Sequence, residues 1–414
     1  MVVVWILLGL FSGQAILVWG FVKTLDRWRD MPLEDDCCPK VAVILCLRGT
    51  DPFLENCLRG VINLDYPQFE LFVVVDNQDD PAWEVVTRVV GSTQSPKVHI
   101  QELIERLDTC SLKCSSLVQV ISRLDETYEV AALLDADTVP DSNWLRQLVA
   151  PLMHETVGVT TGNRWYAPVE PSFATLVRYC WNSAAIVQMF WYHIAWGGTM
   201  AIKLSIVRST DLLDRWRTAF CEDTMLYKTL RRHRLRVAFV PSLLMVNRES
   251  CDMSGFFHWV SRQLLTARLY HPQWTAVLAH GVSAALVSVI GLTVLVCALI
   301  AKDWTGAFWV SGGLIGYQLA LLSLLIPLES AARKILRPRG QATIRFTPAC
   351  LAKTVTAAVV LQLVYPAAIL SAVLTRRVRW RGIDYRIGGP RDIRLVEYQP
   401  FRCVSDGDNV VNSL

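Results

Sequence analysis

The sequence predicts a mostly parallel α/β domain joined to membrane-spanning α-helices. Of its 414 residues, 52% are hydrophobic and 19% are charged, and the mean hydropathy is +0.32. Such a chain is too apolar for an ordinary soluble protein and too charged for one that lies wholly in a membrane. Long apolar segments flank a region in which short apolar runs alternate with amphipathic ones, which is the pattern of strands and helices in a parallel sheet. The modest net charge of +4 does not suggest a nucleic-acid partner.

The first apolar segment predicts a transmembrane signal anchor over residues 1–23. It is long enough to cross a hydrocarbon core of about 30 Å, and its charges follow it, at Lys23, Arg27 and Arg29. A cleaved signal peptide would instead carry positive charge before its apolar core. By the positive-inside rule these basic residues stay in the cytoplasm. We therefore expect an integral membrane protein, in the inner membrane if the cell is bacterial, with a cytoplasmic α/β domain.

Further membrane segments follow the α/β domain. Residues 273–328 predict two transmembrane helices with a short external link, and the basic loop 329–347 should lie in the cytoplasm. The apolar segment 348–374 contains Pro366, which would kink or break a helix. If this segment spans, the basic C-terminal tail 375–414 lies outside, against the charge rule. A re-entrant hairpin or a shallow interfacial helix would keep the tail inside, and the charges favour that alternative.

The α/β domain is predicted over residues 39–250. Its apolar runs end at Gly or Asp and are separated by segments with helical spacing. In a parallel sheet, ligands bind beyond the carboxyl ends of the strands. In chain order, the predicted elements are a strand over 41–47, a helix from Phe53, a strand over 69–76, a helix over 81–91, a strand over 97–103, a helix over 114–124 and a strand over 130–134.

Two carboxylates, Asp135 and Asp137, follow the last of these strands. In an extended segment they point the same way, and adjacent like charges are costly unless a cation or hydrogen bonds hold them. Hard cations take oxygen ligands, and Mg²⁺ is usually held by one or two carboxylates plus substrate phosphates. Asp76 ends another strand, so it could share this crevice, where it better suits a base or a ribose hydroxyl. If these two carboxylates are considered alone, the alternative is a solvated turn in which an acidic residue caps the next helix.

A second pair of carboxylates, Glu222 and Asp223, precedes an apolar helical segment. The helix dipole alone would favour acidic residues there. The functional alternative is a general base positioned against an acceptor hydroxyl. Gly197 and Gly198 precede an apolar run, and they indicate either a turn or a close approach of the backbone to a sugar.

Residues 251–272 predict an amphipathic helix at the membrane interface. The segment mixes aromatic and aliphatic residues with Arg262, Gln263 and Arg268, and it lies just before a predicted span. The two arginines could simply meet anionic lipid head groups. The alternative, which we favour, is that at least one of them contacts a diphosphate.

Five motifs in a fixed order resemble the membrane-bound family 2 glycosyltransferases, and more narrowly their ceramide-glucosyltransferase-like branch, which includes hopanoid-linked enzymes. The motifs are "VVVDNQDDPAW", "LLDADTVPDSNWL", "WGGTMAIK", "CEDTML" and "WVSRQLLTARLY". The resemblance covers residues 39–272, together with "RVRWRGIDYRI" near the end of the chain. It implies a GT-A fold, which is Rossmann-like with a mostly parallel sheet, and a nucleotide-sugar donor.

The resemblance also implies roles for these carboxylates. Asp76 would contact the nucleotide, while Asp135 and Asp137 would bind the diphosphate and the metal, Mg²⁺ or Mn²⁺. Asp223 would be the catalytic base, with Glu222 beside it. Gly197 and Gly198 would face the acceptor or the sugar.

Basic and amide side chains complete the implied site. Lys113 resembles a basic residue that such enzymes place near the donor, and His193 could contact acceptor or donor unless it is simply a packed histidine. The family carries an Arg/Gln motif on its interfacial helix, represented here by Arg262, Gln263 and Arg268. Processive synthases have QxxRW at this place, whereas this chain has no Arg-Trp pair there.

The sequence therefore predicts a hexosyltransferase. We expect inverting, metal-dependent transfer of one hexose, glucose in this branch, from a UDP-sugar to a membrane lipid hydroxyl at the cytoplasmic face. Two rivals remain: a processive polysaccharide synthase, for which the predicted membrane helices look too sparse, and a membrane scaffold with a degenerate transferase domain, against which the intact carboxylates argue.

Overall fold

The computed structural model describes residues 2–31, 33–91, 93 and 96–401. Its α/β domain is built on a seven-stranded sheet with the order β3-β2-β1-β4-β6-β5-β7. Neighbours β1–β2, β2–β3, β1–β4 and β5–β7 are parallel, and β6 runs antiparallel to both of its neighbours. The strands are β1 (Val41–Leu47), β2 (Phe69–Val75), β3 (Lys97–Glu102), β4 (Val130–Leu134), β5 (Val157–Tyr166), β6 (Thr199–Lys203) and β7 (Arg236–Asn247).

The structure confirms the predicted α/β fold. As expected, continuous apolar runs form strands that are covered on both faces. Every residue of β4 is buried, as are six of the seven residues of β1. Such strands need helices on both sides of the sheet to exclude water. The helices of this domain are α2 (Leu54–Ile62), α3 (Pro81–Val90), α4 (Leu112–Ile121), α5 (Trp144–Val149), α6 (Phe173–Tyr192), α7 (Leu204–Ser209), α8 (Leu212–Trp216), α9 (Leu226–Arg232) and α10 (Met253–Tyr270).

Among the described residues, four helical segments are long and apolar enough to cross a membrane: Val2–Arg27, Trp274–Ile300, Trp304–Arg339 and Pro348–Leu374. The third of these contains two α-helices in succession, so helix continues well into the segment that we predicted to be a basic loop over 329–347. These membrane-length elements are α1 (Val2–Arg27), α11 (Trp274–Ile300), α12 (Trp304–Ser323), α13 (Leu325–Leu336) and α14 (Pro348–Leu374).

The C-terminal region differs from the sequence prediction in two ways. First, Pro366 does not break α14, which is one continuous helix; of the alternatives for this segment, a span and an interfacial helix agree with this, and a re-entrant hairpin does not. Second, the basic tail folds into a three-stranded antiparallel sheet, the C-terminal sheet, made of β8 (Arg377–Trp380), β9 (Ile383–Gly389) and β10 (Asp392–Glu397). Its inner face buries Ile383, Tyr385 and Ile387 in the large hydrophobic core that also contains residues of α4. The alternation of apolar and charged residues explains why this segment is a sheet.

Candidate active site

A polar cavity opens at the carboxyl ends of β1, β2 and β4. Its volume is about 160 Å³, and it is lined by Asp76, Asp135, Asp137 and Asp223, among other residues. In the sheet order β2-β1-β4, Asp76 and Asp135 follow strands that are separated by β1 alone. The topology therefore brings together carboxylates that are about sixty positions apart in the sequence, as expected at the edge of a parallel sheet.

Asp135 and Asp137 lie in a cluster of cations. The Nζ atom of Lys113, on the first turn of α4, lies 2.7 Å from Asp135 Oδ1. The guanidinium of Arg164, on β5, lies 3.6 Å from Asp135 Oδ2 and 3.2 Å from Asp137 Oδ2. The side-chain amide of Asn247 donates a hydrogen bond to Asp137 Oδ2 at 3.1 Å. These partners stabilise two carboxylates that would otherwise repel each other.

The two carboxylates titrate differently because their partners differ. Burial opposes the ionisation of both groups, but Lys113 and Arg164 outweigh it at Asp135 and lower the pKa of that carboxyl. At Asp137, burial dominates over the attraction of Arg164 and raises the pKa. Asp137 Oδ1 is also buried without a hydrogen-bond partner among the described residues. A buried, unpaired carboxylate oxygen beside a second carboxylate is the donor set that a hard divalent cation prefers, so the residues fit Mg²⁺ or Mn²⁺.

Glu222 is paired with Lys113 inside the protein. Its Oε1 atom lies 2.7 Å from Lys113 Nζ, and its side chain is 3% exposed. Burial raises the pKa of Glu222, and the ammonium of Lys113 opposes that shift. Lys113 thus joins Glu222 to Asp135, and the catalytic role that we expected for Glu222 beside Asp223 stays a prediction.

Asp223 is held by the backbone and opens toward the cavity. Its Oδ2 atom accepts a hydrogen bond from the Gly197 amide at 2.8 Å, and its Oδ1 atom accepts from the Thr224 hydroxyl at 2.8 Å. Unlike Glu222, this carboxylate has no ion-pair partner among the described residues. Neutral hydrogen-bond donors thus orient this half-buried carboxylate at the wall of the cavity.

Gly197 and Gly198 allow the backbone to approach these carboxylates. A Cβ atom at Gly197 would collide with the Glu222 carboxylate, and one at Gly198 would lie 2.6 Å from Asp135 Oδ2. The Gly198 carbonyl also accepts a hydrogen bond from the Asp135 amide at 3.2 Å. The glycine pair is therefore required by close packing beneath the cavity.

Asp76 lies at the other end of the cavity, where the C-terminal sheet covers it. The guanidinium of Arg48, just after β1, forms an ion pair with Asp76 Oδ2, and the Tyr398 hydroxyl donates to the same oxygen at 3.1 Å. Burial raises the pKa of Asp76 against the effect of Arg48. Arg381, in the β8–β9 turn, donates to both Asp51 oxygens at 2.9 Å. Residues from opposite ends of the chain thus build this wall.

The interfacial helix α10 contributes two of the three predicted residues. Arg262 and Gln263 line the polar cavity. The Arg262 guanidinium stacks over the ring of Trp380 with 4.6 Å to its centroid, and burial lowers the pKa of Arg262 to about 10. Arg268, in contrast, donates hydrogen bonds to the backbone carbonyls of Val373 and Thr375 at the end of α14. Arg268 does not line the polar cavity, so the structure gives no support to its predicted contact with the donor, which stays a prediction.

His193 also lies apart from the site. It is in the left-handed conformation, with φ 55°, and caps the C-terminus of α6. Its ring stacks on Tyr227 with 6.0 Å between centroids, and it lines neither this cavity nor the one described next. The position of His193 is set by the helix end, which agrees with the alternative of a packed histidine, and its contact with acceptor or donor stays a prediction.

Sequence reasoning missed several residues that line the polar cavity. Arg48 and Asp51 follow β1 and could have been found by the same strand-end argument as Asp76. Trp380 and Arg381 lie in the C-terminal motif "RVRWRGIDYRI", but their charge suggested a tail. Arg164 lies within β5, where the sequence gives no signal for it.

A second, largely apolar cavity adjoins the first on its membrane side. Its volume is about 330 Å³, and α1, α6, α11, α12 and α14 supply most of its wall. Asp223, Gln263 and Trp259 line both cavities. The apolar cavity thus begins at the carboxylate of Asp223 and extends between the membrane-length helices.

Comparisons with known proteins identify the family. The model of glycosyl transferase family 21 matches residues 7–393. A probable glycosyltransferase, YdaM, of Bacillus subtilis (strain 168) is 25% identical over 239 residues, which is 54% of this chain and 53% of that protein. A ceramide glucosyltransferase of Komagataella phaffii (strain GS115 / ATCC 20864) is 24% identical over 78 residues, 18% of this chain and 15% of that protein. The chain thus spans about half the length of the first relative and 15% of the length of the second.

Two solved structures are similar to the chain at lower sequence identity than these relatives. A mannosyltransferase, PcManGT, from Pyrobaculum calidifontis in complex with GDP-Man and Mn²⁺ is 17% identical with a TM-score of 0.49, covering 90% of this chain and 98% of that one. A glucosyl-3-phosphoglycerate synthase from Mycobacterium tuberculosis in complex with Mn²⁺ and UDP-glucose is 14% identical with a TM-score of 0.38, covering 58% of this chain and 82% of that one. Neither likeness decides the substrate or the metal of this protein. The family model, which matches nearly the whole chain, shows that the protein belongs to glycosyl transferase family 21.

Proposed function

We propose that this protein transfers a single hexose from a UDP-sugar to the hydroxyl of a membrane lipid, with inversion at the anomeric carbon. The observation that carries this proposal is the junction of the two cavities at Asp223. A donor in the polar cavity and a lipid head in the apolar cavity would meet beside that carboxylate. A ceramide-like lipid is a natural candidate acceptor, since one relative of the chain is a ceramide glucosyltransferase.

Asp223 acts as the general base in this proposal. The acceptor hydroxyl loses its proton to Asp223 while its oxygen forms a bond to the anomeric carbon. The bond from that carbon to the diphosphate breaks on the opposite face, and UDP leaves with the electron pair. The hydrogen bonds from Gly197 and Thr224 hold the Asp223 carboxylate in place for this transfer.

Positive side chains stabilise the leaving diphosphate. Lys113, Arg164 and Arg262 all reach the polar cavity or its carboxylates. Preorganised cations in a partly dry site stabilise charge that develops in the transition state. Asp135 and Asp137 would hold a divalent cation together with the diphosphate, and that cation would supply Lewis-acid stabilisation of the leaving group.

Nucleotide recognition is assigned to the end of the cavity near Asp76. Arg48 and Tyr398 satisfy one oxygen of this carboxylate, while Asp76 Oδ1 is buried with no hydrogen-bond partner among the described residues. An unsatisfied buried acceptor is costly. A ribose hydroxyl or a base N–H would relieve that cost, which supports a nucleotide at this end.

The membrane position follows from the same arrangement. The basic residues at the C-terminal end of α1, together with those in the segment 337–345, would keep the α/β domain in the cytoplasm by the positive-inside rule. The acceptor would then be drawn from the cytoplasmic leaflet, and the product would return to it.

The proposal is tested with membranes from cells that express the full chain. UDP-hexoses are added one at a time with a lipid extract, UDP release is measured, and products are identified by mass spectrometry. We expect lipids that carry one added hexose, and none from membranes with Asp223→Asn. A ladder of products with several sugars would support a processive synthase, and UDP release that does not require lipid would exclude a lipid acceptor.

A further inference from the structure

We propose that α14 does not cross the membrane but lies against the α/β domain, packed along α6 and α10, with its outer face in lipid. The chain then crosses three times, through α1, α11 and the helix formed by α12 and α13. The inference is independent of the proposed reaction and rests on those three helices being spans. It assigns α14 a lipid surface as its partner, although its length and composition alone would make it a fourth span.

The N-terminal end of α14 is attached to the α/β domain. Arg248, which follows β7, donates hydrogen bonds to the Gln341 side chain and to the Ala342 carbonyl, both at 3.1 Å. The ring of Phe346 lies 6.1 Å from that of Tyr179 on α6. The chain therefore enters α14, at Pro348, from the surface of the domain.

The C-terminal end of α14 is attached to the same domain. Arg268 donates to the carbonyls of Val373 and Thr375. The C-terminal sheet starts at Arg377, and its Arg381 binds Asp51 beyond the end of β1. Arg248 lies shortly before the start of α10 and Arg268 lies in its last turn, so α14 runs alongside α10 in the same direction.

These attachments are incompatible with a crossing. A helix of 27 residues is about 40 Å long, and a hydrocarbon core of about 30 Å would place the two ends of a spanning helix on opposite surfaces. Here both ends contact the domain that begins after α1. The arrangement also places the basic segment 337–345 and the arginines of the C-terminal sheet on one side of the membrane, as the positive-inside rule requires.

The two faces of α14 have different partners. Small residues form its packed face, where Ala357, Ala368 and Ala372 are fully buried. The opposite face is exposed and apolar, at Leu351, Leu363 and Leu370 among others. This face is continuous with the membrane helices, since Ser288 on α11 donates to Gln362 at 3.2 Å. An exposed apolar stripe of this length next to membrane spans fits acyl chains rather than water.

The sidedness of the C-terminal sheet tests the proposal. In a full-length parent with Cys37→Ser, Cys297→Ala and Cys403→Ser, a membrane-impermeant maleimide is applied to sealed vesicles of each orientation. Three exposed positions are compared: Glu126→Cys on the α/β domain, Lys302→Cys between α11 and α12, and Arg391→Cys on the C-terminal sheet. Arg394→Cys serves as a second reporter if the third variant does not fold.

We expect the Cys residues introduced at 126 and 391 to react from the same side, and the one at 302 to react from the other. Reaction at 391 together with 302 would show that α14 crosses the membrane and would overturn the proposal. Activity is not needed for this measurement, so failure of the proposed transferase function would be distinguishable from failure of this inference.

The occupant of the outer face is tested separately. A fluorophore attached to Leu363→Cys should be quenched by lipids brominated on their acyl chains, as should one at Leu292→Cys on α11, which is also exposed. Quenching at Leu292→Cys without quenching at Leu363→Cys would indicate that a second copy or another protein covers α14, and the lipid assignment would be wrong.

Discussion

The guanidinium of Arg381 donates hydrogen bonds at 2.9 Å to both carboxylate oxygens of Asp51, although the two residues are 330 positions apart. Asp51 follows β1 and its side chain is 4% exposed, whereas Arg381 lies in the β8–β9 turn. Burial raises the pKa of Asp51 and Arg381 opposes this shift. The pair fastens the C-terminal sheet to the wall of the polar cavity.

Replacement of Arg381 should therefore damage both stability and donor binding. Arg381→Ala leaves the Asp51 carboxylate buried without its partner, and such a loss costs about 3–5 kcal/mol. We expect a lower thermal midpoint in detergent and weaker UDP binding by calorimetry. The control is Arg391→Ala, which removes an exposed ion pair with Asp211 and should cost no more than about 1 kcal/mol. Equal effects of the two variants would show that the Asp51 pair does not hold the sheet.

Asp223 and Glu222 should behave differently when each loses its charge. Asp223→Asn removes the proton acceptor but preserves shape, so the rate should fall by about 10²-fold or more while UDP affinity stays close to that of the wild type. Glu222→Gln disturbs Lys113 and, through it, Asp135, so it should weaken UDP binding. Single-turnover rates and UDP titrations separate the two outcomes. Weakened UDP binding in Asp223→Asn, with the rate per bound donor unchanged, would contradict its role as base.

Removal of the metal should abolish turnover, and a low pH should weaken binding of the metal. EDTA is expected to stop the reaction, and Mg²⁺ or Mn²⁺ to restore it, if Asp135 and Asp137 hold the cation. Because burial raises the pKa of Asp137 above its ordinary value of 3.8, protons should compete with the metal at a higher pH than for an exposed aspartate. Mn²⁺ affinity in the presence of UDP should therefore weaken as the pH falls toward that raised pKa.

The matched variant is Asp137→Asn, which should weaken Mn²⁺ and UDP binding together and lose this dependence on pH. Full activity in EDTA would remove the metal from the mechanism. A Mn²⁺ affinity that is the same in Asp137→Asn and in the wild type would place the metal elsewhere.

Filling the apolar cavity should affect the lipid and not the nucleotide. Ala285 on α11 lines this cavity, and Ala285→Phe adds bulk whose steric cost is about 1–3 kcal/mol. We expect the apparent KM for lipid to rise about tenfold, which corresponds to 1.4 kcal/mol, with UDP affinity unchanged. Val282→Phe, at an exposed position of the same helix, is the control. An unchanged KM in a folded Ala285→Phe protein would indicate that the acceptor binds elsewhere.

The parts of the fold that sequence predicted well are those governed by short-range pattern. β1 and β4 are unbroken apolar runs, and β2 is interrupted only by Glu70. The carboxyl-end rule correctly predicted that Asp76 and Asp135 share one crevice. Arg164 could not be found in this way, since its role depends on how far β5 lies from β4 in space. The sequence also did not predict two contacts at helix ends: His193 is a left-handed cap, and Arg268 donates to a backbone carbonyl at the end of α14.

The C-terminal sheet was missed for a different reason. The apolar residues Ile383, Tyr385 and Ile387 alternate with polar ones, which is a strand signal. The many arginines of this segment were instead used to predict on which side of the membrane a basic tail would lie. Period-two alternation in a basic segment should therefore be weighed before its charge is used to assign it as a tail.

The position of the C-terminal sheet in the chain also determines when the polar cavity can be completed during synthesis. Trp380, Arg381 and Tyr385 line the polar cavity, but they are synthesised after all four membrane-length helical segments of the described residues. A ribosome-bound chain that already has its α/β domain and its membrane helices still lacks one wall of the donor site. If the polar cavity is the donor site, as we propose, that site is completed only after the membrane-length helices have been synthesised, and we expect a chain cut short after α14 to be inactive.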